Sequence, residues 1–294
     1  MLFTSTVIIW GTTWIAIAWQ IGPVDVVVSI FYSFALAGIV FLFGLLLLGR
    51  LRLPTQWRFV VLQALCLFSF NFICFYQATS LMHSGLVSVI FSLATIFNAI
   101  NARIFFGDKI RPQTIFAGLI GATGLVLLFW RNLTINFDTD VIQGVGWATT
   151  GTLFFSLGNM MSRKNSIYGV SPITANSWGM CIGALVLVTI AGATGANFAL
   201  PNSPTYIWAL IYLAIIGSVL GFSTYLMMVT RIGSDRAAYT TVLFPVVALI
   251  LSTLFEGYEW HTTAFLGIAL TIVGNLVMFA RFSKRNNSSM THDP

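Results

Sequence analysis

Ten apolar runs of about twenty residues each fill this chain, near 2–20, 24–48, 58–80, 84–106, 113–130, 143–163, 172–195, 205–230, 236–256 and 262–282. A helix of that length crosses the hydrocarbon core of a bilayer. No water reaches that core, so each segment must satisfy its own backbone N–H and C=O groups. A membrane β-barrel would instead show alternating segments of about ten residues. The pattern predicts an all-α, polytopic membrane protein with ten transmembrane helices. Only 7% of the residues are charged and 57% are hydrophobic, whereas a soluble domain carries about 25% charged residues. Cys66, Cys74 and Cys181 all fall inside the runs and read as packing residues. The first run has no basic leader, so no cleavable signal peptide is expected.

Breakers separate the runs. Pro23, Pro112 and Pro172 are expected at helix starts, where a missing N–H costs nothing. Ser84 and Ser234 are expected as N-caps of the fourth and ninth spans. Thirteen of the fourteen basic residues fall on one side of a ten-span arrangement, among them Arg58, Arg103, Lys109, Arg163 and Lys164; Arg131 alone falls on the other. The acids Asp25, Asp138, Asp140, Glu256 and Glu259 share the side of Arg131. The net charge of +6 therefore reads as a topology signal rather than a nucleic-acid surface. The positive-inside rule makes both termini cytoplasmic.

A polar stretch near residues 130–143 divides the chain, and the halves correspond at an offset of 150. Ser84, Leu93, Phe105, Gly107, Gly124 and Phe129 fall opposite Ser234, Leu243, Phe255, Gly257, Gly274 and Phe279. The expected organisation is a five-helix repeat over 1–131, a connecting loop over 132–142, a second five-helix repeat over 143–282 and a cytoplasmic tail over 283–294. Five is odd, so the second repeat enters from the opposite face. The result is a 5+5 inverted repeat, the symmetry on which alternating access around a central site is built.

No Asp, Glu, Lys or Arg sits at mid-membrane depth in this reading. Ion paths and proton relays place charges there, and a substrate with unbalanced charge would lie buried without a counter-ion. A neutral or zwitterionic small molecule fits, with the bilayer as the other partner. No cofactor or metal motif is present. Trp10, Trp14, Tyr76 and Tyr225 are large rings with polar handles on helical stripes, and Tyr239 opens the ninth span. Asn71 and Asn159 are buried amides: either helix-to-helix bonds or ligands for a carboxylate or ammonium. His83, at a span end, is either interfacial or a proton-linked group. These are the candidate substrate residues. Pro245 interrupts the ninth span and is the candidate gate; its counterpart is Thr95, so the halves are expected to differ there. Gly118, Gly121, Gly124, Gly179, Gly183, Gly267 and Gly274 permit close helix contact.

W-G-T-T-W at 10–14, the segment from Tyr76 through Ser84 to F-F-G-D-K-I at 105–110, and its echo in L-F-P-V-V at 243–247 and F-E-G-Y-E at 255–259 carry a resemblance. The chain resembles the EamA-type branch of the drug/metabolite transporter superfamily, over essentially its whole length. N-F-I-C-F-Y-Q-A at 71–78 is similar to the YddG-type aromatic amino acid exporters within it. The resemblance implies ten helices in an inverted arrangement in a bacterial inner membrane, with a cavity among spans 1, 3, 4, 6, 8 and 9. It also implies export of aromatic and other neutral amino acids. The chain departs from the family in F-Y-S-F at 31–34, which lacks an arginine, and in Thr95, where many members have proline. The competing cargo is amphipathic drugs or quaternary ammonium compounds, held by cation–π contacts. An enzyme would need a paired-carboxylate, His-rich or Cys–His cluster at one depth; His83, His261 and His292 are scattered in sequence, so none is expected.

Overall fold

The computed structural model of the protein describes residues 2–130, 138–232 and 240–279. Tyr239, Ser234, Arg131, Arg236, His292 and the tail lie outside the described residues. Among the described residues ten helical rods follow one another: α1 (Leu2–Ala18), α2 (Val26–Leu47), α3 (Trp57–Leu81), α4 (Ser84–Phe106), α5 (Pro112–Leu128), α6 (Thr139–Ile167), α7 (Pro172–Thr194), α8 (Pro204–Ile211, Tyr212–Leu220 and Gly221–Ile232), α9 (Thr240–Phe255) and α10 (Thr262–Phe279). Five of them, α2, α3, α4, α7 and α8, are long and apolar enough to cross a membrane. Four more are apolar but shorter; α6 is long, yet its polar residues set it apart. Large apolar side chains such as Ile39, Leu47, Ile104, Leu119, Leu185 and Leu254 face outward, while Ser29, Gln63, Ser69, Asn71 and Thr152 are buried. A surface of that kind needs hydrocarbon as its solvent. The protein is an all-α, polytopic membrane protein.

Local chemistry explains the helix ends. Asp25 accepts the Val27 N–H at 2.9 Å and caps α2; Asp138 caps α6 through the N–H groups of Asp140 and Val141. Ser171 and Ser203 cap α7 and α8, with prolines at the first helical position. Two expectations are corrected. Pro23 lies in the turn before α2, whose start is set by Asp25. Ser84 does not cap α4: it is the first helical residue, after His83. Its N–H meets the Glu256 carboxylate at 3.1 and 3.2 Å, and its hydroxyl donates to Glu256 Oε2 at 2.7 Å. The cap comes from across the fold.

Irregularities recur at matched places in the two halves. α3 widens to a π-helical turn at Cys66–Phe70, and α8 at Tyr212–Leu220. In each a serine hydroxyl donates five residues back, Ser69 to the Ala64 carbonyl and Ser218 to that of Leu213. α4 is interrupted by a turn at Ser92–Leu93, with the Thr95 hydroxyl donating to the Ser92 carbonyl at 3.0 Å; α9 carries Pro245. α4 breaks there without a proline, whereas α9 runs unbroken through Pro245, so the two halves differ at this position. Gly107 and Gly257, 150 apart, both stand at positive φ (71° and 70°) at the ends of α4 and α9, a conformation that only glycine adopts cheaply.

Packing repeats the same pattern. α2 lies on α7 and α5 on α10; α1 packs on α8 and α9, α6 on α3 and α4, α2 on α8, and α7 on α3. Adding five to the first-half members, and subtracting five from the others, turns this set of contacts into itself. Small residues bring the rods close. A Cβ on Gly267 would fall within 3 Å of the α5 backbone at Leu128, and one on Gly274 would meet the backbone at Ala117 and Gly121. Gly179 seats against the Phe68 ring and Gly183 against the Phe68 Cβ and backbone, so this pair packs α7 on α3 within one chain. The three cysteines are free.

Candidate substrate cavity

The midpoints of α1, α2, α3 and α8, with one ring each from α4, α6 and α9, enclose a cavity of about 100 Å³. Ten of the nineteen residues that line it are aromatic: Trp10, Trp14, Phe34, Phe72, Phe75, Tyr76, Phe91, Phe155, Phe222 and Phe244. They brace one another, mostly edge to face, with Trp14 stacked over Phe244. Phe72 meets Phe34 at 4.8 Å between centroids, Phe155 meets Phe91 at 4.6 Å, and Trp14 contacts Phe75, Phe91 and Phe244. Such pairs prefer offset or edge-on geometry, which fixes the ring planes. The polar lining is Thr13, Ser33, Asn71, Ser218 and the Tyr76 hydroxyl, and no ionised side chain is among the lining residues.

Backbone geometry aims these groups. The π turn of α3 ends at Asn71, and that of α8 carries Gly217 and Ser218 to the cavity wall. Tyr76 is almost fully buried and donates to Gln20 Oε1 at 2.5 Å. Asn71 Oδ1 and Gln20 Nε2 are buried with no hydrogen-bond partner. Ser33 Oγ, beside the Tyr76 hydroxyl, completes no hydrogen bond either. Leaving a buried polar atom unpaired costs about 1–3 kcal/mol, so two such atoms on the cavity wall, Asn71 Oδ1 and Ser33 Oγ, mark a place where a solute's polar end is accommodated.

The candidate residues separate into groups. Trp10, Trp14, Asn71 and Tyr76 come together at the cavity. Tyr225 stacks on Trp10 at 5.0 Å but does not line the cavity. Asn159 donates to Asn98 Oδ1 at 3.3 Å and ties α6 to α4. Tyr239 lies outside the described residues. Pro245 is buried against α10 beside a void of about 10 Å³ with Ser92, Thr271 and Asn275. The contribution of α2 through Ile30, Ser33 and Phe34 is an addition to the expected spans. Its sequence signal was available: Ser29 and Ser33 are one helical turn apart in an otherwise apolar run.

His83 belongs to a second cavity, of about 610 Å³, at the end of the bundle that carries Asp138, Glu256 and Glu259. We call this the acidic end. His261 and Tyr258 line it too, so two of the histidines that are scattered in sequence meet here. The His83 and Tyr258 rings lie edge to face at 5.5 Å; burial pushes the Tyr258 phenol up to about 12. Among the described residues no three His, Cys, Asp or Glu side chains are grouped to hold a metal. Between the two cavities the first half of α4, Ser84–Phe91, packs on α9 and α1. A Cβ on Gly85 would meet Ser252 Cβ at 2.8 Å and Leu249 Cα at 3.0 Å. Among the described residues the second half of α4 makes no comparable packing with α9. The two helices are closely packed at the acidic end.

Comparison with known proteins matches this architecture. The family model described as the EamA-like transporter family matches twice, over residues 1–130 and 142–280. The chain is similar to Protein PagO of Salmonella typhimurium, 26% identical over 98% of this chain and 97% of that protein. It is similar to Protein PecM of Dickeya dadantii, 26% identical over 94% and 92%. It is also similar to the uncharacterized inner membrane transporter YedA of Escherichia coli, 25% identical over 90% and 87%. A crystal structure superposes with a TM-score of 0.69 at 18% identity, covering 94% of both chains, and shares the fold. The chain belongs to the EamA-like transporter family, and it is a polytopic membrane transporter of small molecules rather than an enzyme.

Proposed function

We propose that the protein exports amino acids, aromatic and other neutral ones, by alternating access across a bacterial inner membrane, with both termini in the cytoplasm. The observation that carries this reading is the central cavity: an aromatic wall with a neutral polar patch at Asn71 and Ser33 and no ionised lining residue. Rings accept an apolar side chain by stacking. A buried lone charge would need a counter-ion that the lining does not supply.

The 5+5 inverted repeat rests on the contact set that maps onto itself, the matched π turns and the two matches to one family model. Alternating access is supported by an asymmetry at the α4–α9 crossing, where the first half of α4 packs on α9 and the second half does not. With Asp138, Glu256 and Glu259 on the outer face, this packing closes the outer side of the cavity. The residues proposed to hold cargo are Trp10, Trp14, Asn71 and Tyr76; Tyr225 supports Trp10 from behind. No carboxylate lines the cavity, so exchange or facilitated diffusion is expected, and His83 lies in the vestibule rather than on the substrate.

Counterflow in proteoliposomes tests this. Vesicles loaded with unlabelled phenylalanine take up labelled phenylalanine without an ion gradient, and tryptophan competes while aspartate and lysine do not. Absence of uptake by correctly inserted protein, together with resistance to ammonium dyes in cells, would transfer the reading to drug efflux.

A further inference from the structure

Resting on the amino acid reading, we infer that the cavity grips its cargo by the ammonium end, so that primary amines lacking a carboxylate are substrates as well. The hydroxyl protons around the cavity are turned away from it. Thr13 donates to the Trp10 carbonyl at 2.7 Å, Ser218 to the Leu213 carbonyl at 2.9 Å, and Tyr76 to Gln20 Oε1 at 2.5 Å. What these groups leave for a solute is oxygen lone pairs. Asn71 Oδ1 is an unpartnered acceptor, and Ser33 Oγ completes no bond.

The donors that remain are neutral: the Ser33 hydroxyl, the Asn71 amide and the indole N–H groups of Trp10 and Trp14. The Trp10 ring nitrogen lies against Gly221, where an added Cβ would come within 2.8 Å of it. No Lys, Arg or His lines the cavity. A carboxylate removed from water needs a cation or several converging donors. It meets here the negative faces of aromatic rings, which repel it. An ammonium ion meets the opposite situation. The same ring faces attract it, and each of its protons can find an accepting oxygen. A primary ammonium uses both features. A quaternary one uses only the first, having no N–H to donate.

The test uses full-length protein in two assays. In the first, 2-phenylethylamine, 3-phenylpropionate and trimethyl(2-phenylethyl)ammonium compete with labelled phenylalanine in counterflow. In the second, binding of the three compounds to detergent-solubilised protein is followed by quenching of tryptophan fluorescence. The amine is expected to compete within about threefold of phenylalanine, and the carboxylate and the trimethylated amine at least about tenfold more weakly. Asn71→Asp should tighten the amine about tenfold and leave the carboxylate unbound, and Ser33→Ala should weaken the amine alone. Competition by phenylpropionate equal to that of the amine, or competition by neither single-ended compound, overturns the inference and leaves amino acid transport standing. Binding of the amine without any phenylalanine counterflow keeps the inference and removes the amino acid reading.

Discussion

The Glu256 carboxylate closes the first turn of α4 by accepting from both the N–H and the hydroxyl of Ser84. The contact spans 172 positions of sequence and ties the α9–α10 loop to the opposite half of the chain. A carboxylate there satisfies orphan N–H groups and faces the positive end of the helix dipole. Glu256→Ala should cost about 0.5–2 kcal/mol at this crossing, the range for a lost cap. If the crossing is the shut gate, that cost favours opening. Maleimide labelling of Leu86→Cys in a cysteine-free background should then speed up several-fold. An unchanged labelling rate, with stability lowered by the same amount, would reduce the contact to a structural cap.

The aromatic wall contains two kinds of ring. Trp14 is buried among Phe75, Phe91 and Phe244, so Trp14→Ala should cost about 3–5 kcal/mol and yield little folded protein. Phe72 lines the cavity from a half-buried position and leans on Phe34. Phe72→Leu should leave the melting temperature within a few degrees and weaken cargo by about two- to tenfold, the worth of one aromatic contact of about 0.5–1.5 kcal/mol. Saturation curves on purified variants separate the two outcomes.

Asn71 and Asn159 offer a matched contrast. Asn159 is bonded to Asn98 across α4 and α6, whereas Asn71 Oδ1 has no partner. Asn159→Leu should lower stability by about 0.6–2 kcal/mol, the range for one interhelical hydrogen bond, and leave half-saturation unchanged. Asn71→Leu should do the reverse, removing an unpaired buried acceptor at little cost to the fold while impairing transport. Equal effects of the two variants on half-saturation would show that the cavity does not discriminate between them.

That contrast also marks where sequence reading stops. The helices are legible because run length and breakers record the bilayer's thickness and its intolerance of unpaired backbone. Trp10, Trp14, Asn71 and Tyr76 were legible as polar handles on apolar faces, and they meet at one cavity. Asn159 has the same local signature as Asn71; only the position of Asn98 on another helix tells them apart. The cap on Ser84 was misread because its partner is remote in the chain. The π turns carry no pattern of their own, since each arises from a serine bonding five residues back and, in α3, from Phe68 seated on Gly183.

The α5–α10 seam depends on atoms that are absent. A Cβ at Gly267 would press into α5 backbone rather than into a movable side chain. Gly267→Ala should therefore destabilise the protein by about 1–3 kcal/mol, although alanine is the better helix former. Gly146→Ala is the control, because nothing lies near its added carbon, and it should be neutral or stabilising. Thermal midpoints of the two variants in one detergent decide the point. This seam lies apart from the cavity, so counterflow per folded molecule should be the same in both.

At the end opposite Glu256, Arg163 bonds Asp108 at 2.6 Å while its guanidinium covers the Phe106 ring at 4.0 Å. The hydrogen bond from Arg163 holds the Asp108 carboxyl below its usual value. A depressed folded-state value means that this contribution is fully present above the unfolded carboxyl's pKa and fades as pH falls through the folded one. Both side chains are half-exposed, so solvent and salt screen the pair and its effect is small. Asp108→Asn should lower the thermal midpoint slightly at neutral pH, and the difference from the natural protein should vanish as Asp108 is protonated in acid. Added salt should shrink the gap as well. A gap that persists undiminished in acid and in high salt would assign the effect to packing on Phe106 instead of charge.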